Sequence, residues 1–296
     1  MRYRITHRTS YAYSTPVSLC HNLAHLKPLS FGRQSCISSN ITVDPLPATM
    51  HNWQDSFGNH STYFAVQQPH SSLTVTAVSE VLLTPQSDLL DSASSTTWET
   101  ARAHLQTSTD TETLAARPYV LESPFVTFTP ELTEYAAFSF TPGRPLLDVV
   151  HELMQRIFSE FDYDSHFSTI ATPLNDVLVH KKGVCQDFAH LAIACLRSHG
   201  LAARYVSGYI ETLPPPGQEK LAGADASHAW FSVYVPYLGW MDFDPTNNQM
   251  PINQHVITAW GRDYSDVTPL KGVVFGGGNH NLEVSVDMAR LEEANN

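Results

Sequence analysis

Basic residues are scarce in this chain, and so is cysteine. Lys and Arg number 17 against 29 Asp and Glu in 296 residues, a formal net charge of −12, so nucleic acid and anionic membrane surfaces repel it as general partners. No basic tract interrupts that balance. Apolar runs of the roughly 18 residues that a membrane-spanning helix needs are missing too. The stretch from Met1 to Val17 mixes charged, aromatic and polar side chains where a secretory signal would be continuously apolar. The expectation is a cytoplasmic protein with no nucleic-acid or membrane partner.

Four cysteines, Cys20, Cys36, Cys185 and Cys195, are too few and too scattered for a disulfide framework. If Cys185 and Cys195 share a helix they lie about 15 Å apart, beyond the roughly 4.4–6.8 Å that a disulfide tolerates between Cα atoms. Cys20 and Cys36 are expected as free thiols in a reducing compartment. The composition is that of a globular protein, with 42% hydrophobic and 16% charged residues.

Residues 1–84 break into short segments of two-residue alternation separated by Pro, Gly and Asn, the mark of an all-β, sandwich-like domain. Asp55, Gly58 and Asn59 supply a turn between two of them. Ser, Thr and Asp then dominate residues 85–97, which reads as a linker. From residue 98 to 296 the pattern is that of a second domain, with helical spacing first and strand-like runs afterwards, and that order argues α+β. One helix is expected to start at Arg144-Pro145, since proline is tolerated in a first turn. Another, apolar on most sides, runs from about Cys185 and is closed by Gly200. The Pro214-Pro215-Pro216 and Gly276-Gly277-Gly278 stretches are expected as loops.

Cys185 falls at the expected start of that helix, after Lys181 and Lys182. Unpaired backbone N–H groups and nearby ammonium groups favour the thiolate there, and the same amides can donate to the oxyanion of an acyl-transfer intermediate. A thiolate nucleophile needs an imidazole within reach and a third group to orient it. His228 opens one strand-like run and Asp244 closes the next, with a short turn from Pro236 to Gly239 between them. Pairing as a hairpin would bring the two to one end of the sheet. Asp242 shares a face with Asp244, so alternation alone leaves open which carboxylate meets the imidazole. Cys195 has apolar neighbours, Ile193 and Leu196, and is assigned to the core.

Three stretches, Gly183-Val184-Cys185-Gln186-Asp187-Phe188-Ala189, His228-Ala229-Trp230 and Gly239-Trp240-Met241-Asp242-Phe243-Asp244-Pro245-Thr246, resemble in order and spacing the Cys, His and Asp motifs of the transglutaminase-like superfamily. Residues 204–209 and 261–269, with residues 1–84, resemble a bacterial branch of it described as cysteine proteases. The resemblance implies a papain-like core with a nucleophile helix packed on an antiparallel sheet. Cys185 would be nucleophile, His228 general base and acid, and Asp244 the orienting residue. Gln186 would aid the oxyanion or cap the helix, and Trp230 and Trp240 would wall the site or pack the core.

The activity implied is a cysteine peptidase or amidase acting on a peptide or protein amide through a thioester, with amine acyl transfer as the alternative. No acidic loop has EF-hand-like spacing, so neither a metal nor another cofactor is expected. Two further readings use the same residues: a non-catalytic scaffold of the same fold, and a zinc site built on Cys185 and His228.

Overall fold

The computed structural model describes residues 1–84, 96–212 and 226–291. Most of the expected linker, residues 85–95, and the proline-rich loop at 214–217 lie outside the described residues.

The N-terminal layer is organised by one long strand, β1 (Arg2–Ala24). Its first half buries Tyr3, Ile5, His7 and Thr9 on one face, the period-two pattern of a half-covered strand. The neighbouring strands are β2 (Gln34–Asp44), β3 (Thr49–Gln54), β4 (His60–Val66) and β5 (His70–Leu83), in the order β2-β5-β1-β4-β3. Asp55 holds the turn between β3 and β4 by accepting from the amides of Phe57 and Asn59 at 2.8 and 2.9 Å.

The register of β1 shifts between Ala12 and Val17, so its first half pairs with β5 and its second half with β4. Val17 and Cys20 of its second half, with Phe64 and Val66 of β4, meet Val43 of β2 and Val75 and Ala77 of β5 in one core, so that a single sheet curls on itself as a half-barrel where two packed sheets were expected.

Two more strands, β12 (Leu270–Gly276) and β13 (His280–Leu291), take the other flank of β1 and complete a seven-stranded sheet. The sequence places these residues in the second domain, whereas the sheet places them in the first. Alternation marks a segment as a strand but does not say which sheet it joins, and β1 offers a second row of backbone donors and acceptors that needs a partner. Between them Gly276, Gly277 and Gly278 all have positive φ, 95°, 86° and 60°, a turn that side chains with a Cβ rarely adopt.

The second unit begins with six helices: α1 (Trp98–Thr107), α2 (Thr111–Ala116), α3 (Pro130–Ala137), α4 (Leu146–Glu160), α5 (Leu174–His180) and α6 (Cys185–Ser198). A short parallel pair, β6 (Asp162–Tyr163) and β7 (Lys182–Gly183), precedes α6. Four antiparallel strands follow, β8 (Ala203–Ile210), β9 (Ala226–Val235), β10 (Gly239–Phe243) and β11 (His255–Gly261), in the order β10-β9-β8-β11. The short α7 (Tyr264–Val267) leads back to the first layer. Pro145 is the N-cap of α4 rather than part of its first turn, and Gly200 closes α6 at φ +78°.

Helix α6 is the centre of this unit. One cluster joins its Leu191, Ile193 and Leu196 to Leu132, Val149 and Leu153 of α3 and α4, and to Phe231, Val233 and Phe243 of the sheet. Each such side chain contributes about 1.5–3 kcal/mol when fully buried. The β layer packs elsewhere on the same sheet, where Leu29 meets Val206, Trp230 and Ile257. Gln34 ties the layers by donating to the carbonyls of Leu29 and Ile257 at 2.8 Å each. The helix thus lies in a mould that leaves its N-terminal tip, with Cys185, at a fixed place beside the sheet.

Candidate active site

Helix α6 starts at Cys185 because the residue before it is extended, with Val184 at φ −120° and ψ 179°, and because Asp187 caps it. Asp187 Oδ2 accepts from the Val184 amide at 2.8 Å and from Ser168 Oγ at 2.5 Å. Burial pushes the Asp187 carboxyl up, against both bonds. A Cβ on Gly183 would stand 2.8 Å from that carboxylate oxygen, so glycine is needed for the cap to close. Gln186 is half-buried in the first turn, and the capping considered for it falls to Asp187. The two lysines do not converge on the thiol: Lys181 pairs with Glu160 at 3.3 Å and Lys182 with Asp164 at 3.4 Å.

His228 and Asp244 meet as the hairpin geometry requires. His228 Nε2 lies 2.8 Å from Asp244 Oδ2, with the side chains 6% and 0% exposed. Burial alone would lower the imidazole pKa, but hydrogen bonds to Asp244 and to the Cys185 thiol, with the charges of both, push it up to about 10. Burial would raise the Asp244 carboxyl, and two imidazoles hold it well below the usual carboxylate range. Its second oxygen accepts from the amides of Thr246 and Asn247 at 3.0 and 3.2 Å.

The choice between carboxylates is settled by geometry. Asp242 turns to the β layer, where Arg33 reaches it at 2.8 Å, and it also accepts from Ser232 Oγ.

The second imidazole on Asp244 belongs to His255, whose Nε2 is 2.9 Å from the same Oδ2. Asn247 Nδ2 donates to that oxygen too, at 2.8 Å. Neither residue is among those the sequence motifs mark for the site. Asn247 lies three positions beyond Asp244, in the loop that the motif already marks, and was open to notice. His255 has no local signal, because its partner is eleven positions away on another strand.

Trp230 is fully buried and lies against both imidazoles, 5.8 Å from the His228 ring and 5.0 Å from the His255 ring. Room for its indole comes from Gly208, the cross-strand partner of His228. A Cβ at Gly208 would stand 2.8 Å from the indole and 2.0 Å from the Val256 carbonyl oxygen. Trp240 packs elsewhere, with Tyr119, Tyr234 and Arg204, so its surroundings are those of a core side chain. Tyr163 is 60% exposed, and its hydroxyl pKa is raised by burial first and by the neighbouring Cys185 after it.

His228, Asp244 and His255 offer ligand atoms within 4.8 Å of one another, close enough to hold a metal ion. No cysteine is in that group. Both Nε2 atoms are at hydrogen-bond distance from one carboxylate oxygen, so the set is complete as a carboxylate shared by two imidazoles.

A cysteine at a helix tip, set against an antiparallel sheet bearing His and Asp, defines a transglutaminase-like, cysteine-protease-like core. The chain belongs to the transglutaminase-like superfamily: residues 136–245 match that family's profile, and residues 3–82 match the bacterial transglutaminase-like N-terminal region. Within it, the chain is 43% identical to an uncharacterized protein of Mycobacterium tuberculosis (strain ATCC 25618 / H37Rv), over 98% of this chain and 93% of that one. A protein-glutamine gamma-glutamyltransferase of Pseudomonas aeruginosa is 29% identical over 107 residues, 33% of this chain and 16% of that protein. The crystal structure of a protein from Cytophaga hutchinsonii, described as a candidate cysteine protease, superposes with a TM-score of 0.77 at 21% identity, covering 99% of this chain and 92% of its own. That likeness concerns the fold.

Proposed function

We propose that the protein is a cysteine-dependent peptidase or amidase acting on peptide or protein amides through a thioester intermediate. The observation that carries the reading is the His228 ring, bound to Asp244 at 2.8 Å, with the Cys185 thiol near enough to help raise the pKa of the same imidazole.

Cys185 Sγ, having passed its proton to His228, attacks the amide carbonyl. Charge builds on the carbonyl oxygen, where the free amides of the first turn of α6 and the side chain of Gln186 serve as donors. His228 returns the proton to the leaving amine, the C–N bond breaks, and a thioester to Cys185 remains. Water, deprotonated by His228, then releases the acid and restores the thiol. Asp244 keeps the imidazole in the tautomer and orientation that both steps need. The chemistry requires a reduced thiol, which fits a cytoplasmic setting.

Amine acyl transfer shares the first half of this path, and the relation to the Pseudomonas aeruginosa glutamyltransferase favours keeping it as a second reading. The two differ only in what attacks the thioester. Iodoacetamide at neutral pH should label Cys185 well ahead of Cys36, the other partly exposed thiol, and His228→Ala should remove the difference. Equal rates at the two thiols would sink the enzyme reading in favour of a scaffold. Screening peptide amides with and without an added primary amine separates hydrolysis from transfer, by whether a free acid or an amine adduct accumulates.

A further inference from the structure

We infer that His255 is a positioning residue of this site: its Nε2–H holds the Asp244 carboxylate in place and takes up part of its charge, so that the carboxylate is shared between two imidazoles. The inference rests on the hydrolase reading for its catalytic meaning.

Three nitrogens surround one oxygen. His228 Nε2, His255 Nε2 and Asn247 Nδ2 approach Asp244 Oδ2 at 2.8, 2.9 and 2.8 Å. Because an ionised carboxylate only accepts, both rings present N–H to it. On the far side of the His255 ring, Nδ1 is buried with no hydrogen-bond partner among the described residues. A second proton there would be a buried donor with nothing to receive it, which burial disfavours. His255 is therefore neutral, with its single proton on Nε2. The charged and titratable groups acting on it are Asp244, His228 and Asp242, and burial outweighs them in keeping its pKa low.

The architecture makes the contact specific. Asp244 follows β10 at one edge of the sheet, and His255 opens β11 at the other. The connection between them returns the chain to the carboxylate, where the two rings stand 5.8 Å apart between centroids. Trp230 sets the plane of the His255 ring through an edge contact, at 5.0 Å and 79°.

The role follows from what His228 must do. A fully buried carboxylate with one imidazole partner would hold the imidazolium proton too tightly for release to a leaving amine. A neutral second donor drains charge from the carboxylate and adds none of its own. His228 is already raised to about 10 with His255 in place, so loss of His255 should raise it further.

The test is ring-nitrogen NMR of the full chain carrying 15N-histidine. The Cys185→Ala background removes the thiol's effect on His228, so the outcome depends on Asp244 and its donors alone. His255 should stay a neutral Nε2–H ring throughout the neutral range. His255→Leu should raise the titration midpoint of His228 by roughly one pH unit, the size of one hydrogen bond to a charged group. His255→Gln, whose amide N–H can occupy the Nε2 position, should restore the wild-type midpoint. If His255→Leu does not fold, His255→Asn, too short to reach Oδ2, takes its place. A His228 midpoint unchanged across the variants, or a His255 protonated on Nδ1 at neutral pH, would overturn the inference. Failure of the hydrolase reading would appear separately, as a wild-type Cys185 that iodoacetamide labels no faster than Cys36.

Discussion

Cys185 and Cys195 sit on one helix, and the helix makes them different. Cys195 is fully buried, its Sγ 3.9 Å from the Leu132 carbonyl, and burial pushes its thiol up to about 12. Cys185, at the first position of α6, is half-buried, and its thiol is among the groups that raise the His228 imidazole. A helix interior has its backbone N–H groups paired and packs side chains against hydrocarbon, whereas its first turn leaves N–H groups free and carries positive potential. Position along the axis therefore separates a packing atom from a candidate nucleophile.

The sharpest way to break this comparison is to delete each sulfur in turn. Cys185→Ala should abolish amide hydrolysis, a loss on the order of 10⁴-fold or more in kcat/KM, with little change in melting temperature. Cys195→Ala should do the reverse, keeping turnover within a few-fold while lowering stability by about 1 kcal/mol. Comparable activity losses in both would show that α6 matters only as a scaffold. The two carboxylates of β10 and its end extend the contrast. Asp244→Asn should cost on the order of 10²–10⁴-fold in kcat/KM, because the amide cannot hold His228 in the right tautomer. Asp242→Asn, which weakens the Arg33 contact, should leave kcat/KM nearly intact.

Gly208 comes next in size. An added methyl group there would stand 2.0 Å from a backbone oxygen, which cannot step aside as a flexible side chain could. Gly208→Ala should cost about 1–3 kcal/mol by denaturant unfolding, with loss of activity in whatever fraction stays folded, since Trp230 and the two imidazoles share that space.

How much of this was legible beforehand depended on how far each signal travels along the chain. Helix α6, its glycine stop and the His228 and Asp244 strands were legible because period and punctuation are local. So was the nucleophile candidate, from the first-turn setting of a single cysteine. Alternation did not choose between Asp242 and Asp244, since it puts both on one face; the motif resemblance pointed to Asp244, and the contacts that separate them, Arg33 over 209 positions among them, are long-range. His255 was invisible for the same reason. Strands β12 and β13 were recognisable as strands, but their partner lies far upstream, 246 positions away where Ala24 pairs with Leu270 and 281 where Thr6 pairs with Asp287. Helix α5 is only seven residues long, too short to display a period.

The smallest expected effect also returns to the two sulfurs. His228 is pushed up to about 10 from the ordinary histidine value of 6.5, so its stabilisation is complete below about pH 6.5 and is lost as pH rises towards 10. Asp244 is shifted the other way. Its contribution is present above its unfolded value, about 3.9, and is lost as pH falls through the lower folded value. His255 is lowered, so it works against the fold as pH drops below about 6.5 and is silent above. Across the alkaline window, from about pH 6.5 to 10, His228 is the member of this cluster whose shift predicts a slope, and part of that shift comes from the Cys185 thiol. Thermal melts should therefore show a midpoint falling by roughly 2–6 °C over that window. The fall should flatten in His228→Gln and shrink in Cys185→Ala, while Cys195→Ala, whose sulfur has no part in the His228 shift, should reproduce the wild-type slope from a lower starting point. A Cys185→Ala slope equal to that of wild type would remove the coupling between thiol and imidazole, and with it the physical basis for treating the two ends of α6 as different.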